Sequence, residues 1–235
     1  MKDGFTKQDL FSCPIYKIRI DPNSYDKEEI LKDIKYNKSL KNTRNEPHQN
    51  FGNGCDIHHS YSDFDNEDFR SINYEKLCAV YQEIFHRFFD KEIMTSNKYT
   101  WKFEIVNYSA ITESQWFPVH NHMQQNDFAT VHYLNFKNEH RKIRFKNPIN
   151  FTPFVKNIRP EALNILDNTA PDNLYLWENF KFPVKEDDML IFPAALNHEI
   201  PVQGPTKEPR ITISTNIEIQ IQVDQLWEKY EKNNN

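Results

Sequence analysis

Glycine is scarce, four residues in 235, which leaves little material for the phosphate-cradling turns of mononucleotide and dinucleotide folds. Cysteine is scarce as well. Cys13, Cys55 and Cys78 are odd in number and lack a C-x-x-C spacing, so a reducing, intracellular setting is the simplest expectation. There is no basic excess: 29 Lys and Arg against 34 Asp and Glu give a formal charge of −5 and no bulk footprint for nucleic acid. No apolar run is long enough to cross a bilayer, the longest, Met189 to Leu196, being interrupted by Pro193. The opening Met1-Lys2-Asp3-Gly4-Phe5 lacks a charged-then-apolar leader. A soluble, cytoplasmic protein with no membrane partner is expected. Few Gly beside much Lys, Asn, Ile and Phe also fits an AT-rich gene, a phage's included, in which case the compartment is the host cytoplasm.

Large aromatics are plentiful: 18 Phe, 11 Tyr and 4 Trp can fill the core of one domain of this length. Within it, residues 1–98 read as an N-terminal strand, helices and a polar loop packed on a core, 99–222 as a β-rich core, and 223–235 as a short helix and frayed tail. After an extended stretch from Leu10 to Ile18, Asp26 to Tyr36 reads as a helix, with Asp26 and Glu29 in capping-box spacing and Ile30, Leu31 and Ile34 on one face. Residues 37–68 are polar and Asn-rich, and a loop of that length is a candidate lid. Leu77, Val80, Tyr81, Ile84, Phe85, Phe88 and Phe89 follow at helical spacing with one broad apolar face.

Beyond residue 99 the period changes to that of strands: Trp101, Phe103 and Ile105 alternate with Lys102 and Glu104. Strand-like runs continue at 127–136, 142–145, 174–177, 189–192, 198–202 and 210–219. Helices followed by many short strands point to a mainly β jelly roll, a double-stranded β-helix with the helices packed on one sheet.

His120-Asn121-His122 sets two imidazoles two residues apart, on one side of an extended segment, where they can grip one metal ion. His198 follows the apolar strand 189–193, which a jelly roll can bring beside that pair. Three ligands leave positions open for substrate and oxygen. Arg210 begins a strand whose Thr212 and Ser214 share its face, a fixed cation flanked by hydroxyls and suited to a carboxylate.

In its C-terminal half the sequence resembles the 2-oxoglutarate- and Fe(II)-dependent dioxygenases, in particular their prolyl-hydroxylase-like branch and a set of phage and bacterial members. The resemblance is carried by Pro118-Val119-His120-Asn121-His122, Val131-His132-Tyr133-Leu134-Asn135, Phe192-Pro193 through Asn197-His198-Glu199-Ile200-Pro201, and Pro209-Arg210-Ile211-Thr212-Ile213-Ser214, in the family's order. It implies His120 as the proximal and His198 as the distal iron ligand, and Arg210 as the partner of the distal carboxylate of 2-oxoglutarate. Tyr133 and either Thr212 or Ser214 would add hydrogen bonds there. It also implies Fe(II), 2-oxoglutarate and O2 as the reagents, with succinate and CO2 released and a substrate C–H bond hydroxylated.

The sequence departs from the family pattern at His122, where most members have Asp or Glu. A neutral imidazole there leaves the metal more positive than a carboxylate would. Asp127 is the alternative carboxylate, five residues on, where the next strand should begin. Two other functions stay open: a non-catalytic jelly-roll binding domain, and a three-histidine cupin-like metalloenzyme that does not use 2-oxoglutarate. Arg210 discriminates between the two enzymes, although polar residues alternating along a strand are also what an exposed sheet face looks like. His132 alternates with Tyr133 and is expected to face away from the cavity. His48, His58 and His59 are expected to be solvated in the polar loop, and His86 and His140 to lie at the surface. Trp116 and Phe117 are either pocket lining or core. The substrate, small molecule or peptide, and the oligomeric state are not written in the sequence.

Overall fold

A computed structural model describes residues 13–40, 57–63, 66–93, 99–123, 126–148 and 179–221. Ten strands and three α-helices are formed among them. In chain order they are β1 (Tyr16–Arg19), α1 (Lys27–Ser39), β2 (His58–His59), α2 (Ser60–Asp63), α3 (Glu75–Phe88), β3 (Tyr99–Ile111), β4 (Phe117–His120), β5 (Phe128–Asn135), β6 (Arg144–Lys146), β7 (Asn179–Lys181), β8 (Asp188–Pro193), β9 (His198–Ile200) and β10 (Arg210–Ile221). Six strands make a major sheet in the order β1-β8-β5-β10-β3-β2, and four make a minor sheet in the order β4-β9-β6-β7. All the pairings are antiparallel, so the architecture is the expected mainly β jelly roll. Among the described residues no helix is long and apolar enough to cross a membrane.

The period of two decides which residues meet which layer. On β10, Ile211, Ile213 and Ile217 face the helices and join a core with Ile30, Ile34, Leu77, Tyr81 and Phe85. On β5, Ala129, Val131 and Tyr133 face the other way and pack with Phe145, Leu190 and Phe192 in the space between the sheets. The long strand pair β3–β10 carries a bulge, the register shifting between Ser214 and Thr215. Helix α3 buries Leu77, Tyr81, Ile84, Phe85 and Phe88, the periodic stripe of the sequence, and then widens into a π-helical turn, Phe89–Ile93, that buries Phe89.

Several expectations are corrected. Asp26 makes no side-chain cap on α1; its carboxylate takes the Lys76 ammonium at 2.7 Å and ties α1 to the start of α3. The segment expected to be a polar lid is packed where it is described: β2 is the outer strand beside β3, and Ile57, His59, Ser62 and Asp63 are buried. His58 is not solvated either, because its Nε2 lies 3.0 Å from the Tyr108 hydroxyl, which donates to Asp63. His140 is buried, its Nδ1 accepting from the Lys137 amide and its Nε2 meeting Glu208 O at 2.9 Å. His86 is exposed as expected. Residues 41–56, the strand expected at 174–177, the C-terminal helix expected at 223–231 and His48 lie outside the described residues.

His132 faces the helices, as alternation with Tyr133 requires, and is hydrogen-bonded to the Tyr81 hydroxyl at 2.8 Å. Burial, with the Lys27 charge acting in the same direction, lowers its pKa to about 3. A histidine depressed in the folded state is protonated first in the unfolded chain. Its contribution to stability is therefore complete above the ordinary value of about 6.5 and is lost as the pH falls from there towards 3, by about 1.4 kcal/mol per unit. Urea unfolding of His132→Gln between pH 7 and pH 4.5 should show a shallower acid loss than the parent chain by about that slope; parallel profiles would contradict the assignment.

Candidate metal and carboxylate site

The site lies between the sheets and is assembled from four strands. His120 ends β4, His198 begins β9, and the two are direct cross-strand partners. Phe145 of β6 stands opposite His198 on its other side. His122 follows β4 in a segment held to the end of β8, its amide donating to Ala194 O at 2.8 Å. The ring centroids of His120 and His198 are 4.2 Å apart, and each is 5.3 Å from that of His122. One ligand atom from each of the three lies within 4.8 Å of the others, a cluster that could hold a metal ion.

The hydrogen bonds define which nitrogen is free. His120 Nδ1 is 2.8 Å from Pro118 O, and His198 Nδ1 is 2.9 Å from Leu196 O. A carbonyl only accepts, so Nδ1 carries the proton in both rings and Nε2 keeps its lone pair for a metal. Burial lowers all three pKa values. That of His198 falls to about 3, with His120 the next cause, and that of His122 to about 4 for the same two reasons, while Asn216 beside His122 acts in the opposite direction. Three neutral imidazoles at pH 7 are what metal coordination requires. Asp127, the alternative carboxylate, is not among them: it is exposed, and its Oδ2 accepts from the Ile219 amide at 2.7 Å.

Arg210 is not a surface cation. It is 0% exposed, on the face of β10 that looks into the space between the sheets. Its Nη1 donates to Thr212 Oγ1 at 3.3 Å, its guanidinium carbon lies 5.1 Å from the Tyr133 ring centroid, and its Nε and Nη2 have no hydrogen-bond partner. Among the described residues no carboxylate pairs with it. The Tyr133 hydroxyl is likewise buried without a well-formed hydrogen bond, and burial pushes its pKa up to about 12 against the opposing pull of the neighbouring Arg210 and the Ile143 main chain. Of the two expected hydroxyls, Thr212 is the one at the guanidinium. Ser214, two residues further along the same face, is half-buried.

Two neighbours escaped the sequence reading. Ser109 of β3 pairs with Thr212, and their hydroxyl oxygens are 2.9 Å apart. Asn216 of β10 continues the Arg210, Thr212, Ser214 face and is buried there. Alternation along β10 could have included Asn216; Ser109 required knowledge of which strand pairs with which. Phe117 packs on the core residues Ile57, Ile111 and Ile200, and its ring centroid is 4.4 Å from that of His120.

No protein-family model matches the sequence, and no curated protein matches it. Similarity is found among solved structures. HygX from Streptomyces hygroscopicus, with nickel and 2-oxoglutarate bound, matches with a TM-score of 0.50 at 11% identity, over 88% of this chain and 83% of that one. A prolyl-4-hydroxylase from Pseudomonas putida gives 0.48 at 8% identity, over 88% and 93% of the two chains. The viral collagen prolyl hydroxylase of Paramecium bursaria Chlorella virus-1, in its 2-oxoglutarate complex, gives 0.46 at 14%, over 86% and 94%. At these identities the likeness is one of fold, and the structure of HygX carries it.

Purified anaerobically, the chain should bind one Fe(II), and His120→Ala and His198→Ala should each abolish stoichiometric binding. His122→Ala should weaken it. Full retention of binding by the first two variants would remove the metal site.

Proposed function

We propose that this protein is a 2-oxoglutarate- and Fe(II)-dependent oxygenase that hydroxylates a substrate C–H bond. The observation that carries the reading is the sealed Arg210 guanidinium, with Nε and Nη2 lacking partners, beside Tyr133, whose core cluster also holds the Phe145 and Phe192 that pack on His198. Burying an unpaired cation costs several kcal/mol. The donors it leaves unpaired, Nε and Nη2, form the edge of the guanidinium that grips a carboxylate in two parallel hydrogen bonds. A cupin-like metal enzyme without 2-oxoglutarate has no need of such a cation at this depth, and neither has a binding domain that uses only an outer surface. The HygX fold supports the same reading, because that protein was solved with a metal and 2-oxoglutarate together.

The residues fit the reagents. His120, His122 and His198 would hold the iron, each neutral and two of them oriented by a main-chain carbonyl. Arg210 would bind the distal carboxylate of 2-oxoglutarate through its free edge. The Tyr133 hydroxyl, beside the guanidinium, would donate a further hydrogen bond, and Thr212, braced by Ser109, would hold the guanidinium in plane. Bound there with 2-oxoglutarate and O2, iron supplies oxidative decarboxylation of the co-substrate and oxidation of a C–H bond. The protein's own contribution is placement and dryness. Phe145 and Phe192 pack against His198, and Phe117 against His120, so aromatic rings wall two of the three histidines. With water excluded, the Arg210 charge acts on the carboxylate at a low effective dielectric, which strengthens the pairing.

Two assays test the reading. The Fe(II)-loaded chain should convert 2-oxoglutarate to succinate and CO2 in an O2-dependent reaction, slowly without substrate, and His198→Ala should not. Arg210→Ala should weaken 2-oxoglutarate binding by roughly 2–5 kcal/mol while leaving Fe(II) binding in place. Arg210→Lys should recover only part of the loss, because an ammonium keeps the charge but not the two-pronged grip. An unchanged 2-oxoglutarate affinity in Arg210→Ala would sink the co-substrate assignment.

A further inference from the structure

The face of β3–β10 that looks between the sheets continues past the carboxylate site, and the polar groups it carries there are still uncommitted. In the paired register Ile111 stands opposite Arg210 and Ser109 opposite Thr212. The next two pairs are Asn107 with Ser214 and Glu104 with Asn216, the bulge falling between them. A fifth pair, Lys102 with Glu218, closes on itself as an ion pair of 2.8 Å. Along β3 the side chains pass from buried at Ile111 and Ser109, through half-buried at Asn107, to exposed at Glu104, so this face leads from the sealed guanidinium out to solvent. The three histidines are tied to both parts of it. Phe117, whose ring centroid is 4.4 Å from that of His120, packs on Ile111, the cross-strand partner of Arg210. From His122 a relay of main-chain hydrogen bonds, His122 N to Ala194 O, Ala194 N to Asp127 O and Asp127 N to Ile217 O, ends at the residue after Asn216.

The third and fourth pairs offer acceptors and no cation. Asn216 is 9% exposed, and its Oδ1 is buried without a hydrogen-bond partner, a state that costs free energy until a donor arrives. Directly across the strand pair stands the Glu104 carboxylate, which can only accept, and among the described residues nothing is paired with it. Ser214 and Asn107, one pair deeper and half-buried, likewise make no side-chain hydrogen bond among the described residues. Other acids at this end of β10 are engaged, Glu218 by Lys102 and Asp127 by the Ile219 amide. Opposed side chains of an antiparallel pair have Cβ atoms about 4.5–5.5 Å apart, so one small group can reach both oxygens. A carboxylate or phosphate is repelled by Glu104, and an apolar group leaves Asn216 Oδ1 unpaired. An ammonium, with three donors and a positive charge, satisfies both.

We propose that the Glu104–Asn216 pair, with Ser214 and Asn107 beside it, is the substrate subsite, and that the substrate carries a protonated amine whose N–H groups donate to the Glu104 carboxylate and to Asn216 Oδ1. The proposal rests on the oxygenase reading of the site and adds the class of substrate to it. It divides the labour along one strand face: a buried cation for the anionic co-substrate at one end, and a pair of acceptors for a cationic substrate at the other. The opposite signs keep the two ligands from exchanging places.

The test uses the full chain loaded anaerobically with Mn(II) and 2-oxoglutarate, and reads how strongly the paramagnetic metal relaxes the protons of small probes at pH 7. The probes are n-butylamine, protonated at this pH, and its neutral and anionic counterparts 1-butanol and butyrate. Butylammonium protons should be relaxed about 3–10-fold more than those of 1-butanol, and those of butyrate least. Glu104→Gln should lower the butylammonium effect about 2–5-fold, the worth of a solvent-accessible charge pair. Asn216→Ala should lower it about 2–10-fold, and Asn216→Asp, which adds a second carboxylate, should raise it. Glu104 is exposed, so Glu104→Gln keeps the proposal testable should Asn216→Ala fold poorly. Equal relaxation of butylammonium and 1-butanol, or a preference unchanged in either Glu104→Gln or Asn216→Ala, overturns the proposal. Water-proton relaxation reports Mn(II) loading and its change on adding 2-oxoglutarate independently of the probes, so with both bound these results leave the oxygenase reading standing. A chain that holds neither Mn(II) nor 2-oxoglutarate brings down that reading and the proposal with it.

Discussion

A guanidinium closed off between two sheets, with two of its nitrogens unpaired, is an expensive thing to fold around, and much of the architecture serves to keep it there. Strand β10 is two-faced. Ile211, Ile213 and Ile217 seal one side against α1 and α3, and this apolar seal keeps water from the Arg210, Thr212 and Asn216 side. The cation is held without being neutralised: Thr212 takes one donor, Tyr133 offers its ring, and Ser109 fixes Thr212. Structures that tolerate a cost of this kind at a functional site recover it when the ligand arrives. A carboxylate is the ligand whose charge and shape match the two nitrogens that remain.

The three-histidine cluster obeys a second constraint, that of neutral donors. His120 and His198 face each other across the β4–β9 pairing, and His122 is added by a segment tied to the end of β8. Three imidazoles contribute no negative charge, so a divalent metal among them would keep its full charge, and anionic co-ligands would gain accordingly. A metal bound there and the buried cation would be complementary in demand, both favouring a dicarboxylate, one at each end.

Much of this arrangement was legible in the sequence, for reasons that can be located. Alternation placed Arg210 and Thr212 on one face and turned His132 to the other, and the i, i+3, i+4 stripe from Leu77 to Phe89 defined α3. His120, His122 and His198 could be nominated together because short spacing and a preceding apolar strand are local signals. What was not legible is long-range. Nothing near Ser109 announces that β3 will lie beside β10 with that residue opposite Thr212. The half-buried state of His58 and the burial of His140 depend on partners distant in the chain, Tyr108 for the first and Thr206 and Glu208 for the second. The apparent capping box at Asp26 lost to a competing partner, Lys76, fifty residues away.

The central claim is that one cavity holds iron and 2-oxoglutarate at the same time, with the co-substrate anchored at Arg210. The most direct measurement is an anaerobic titration of 2-oxoglutarate into the Fe(II)-loaded chain, followed by visible absorption. The account predicts a metal-to-ligand charge-transfer band that grows with added 2-oxoglutarate and saturates at one equivalent per iron. Iron binding with no such band at saturating 2-oxoglutarate would contradict it.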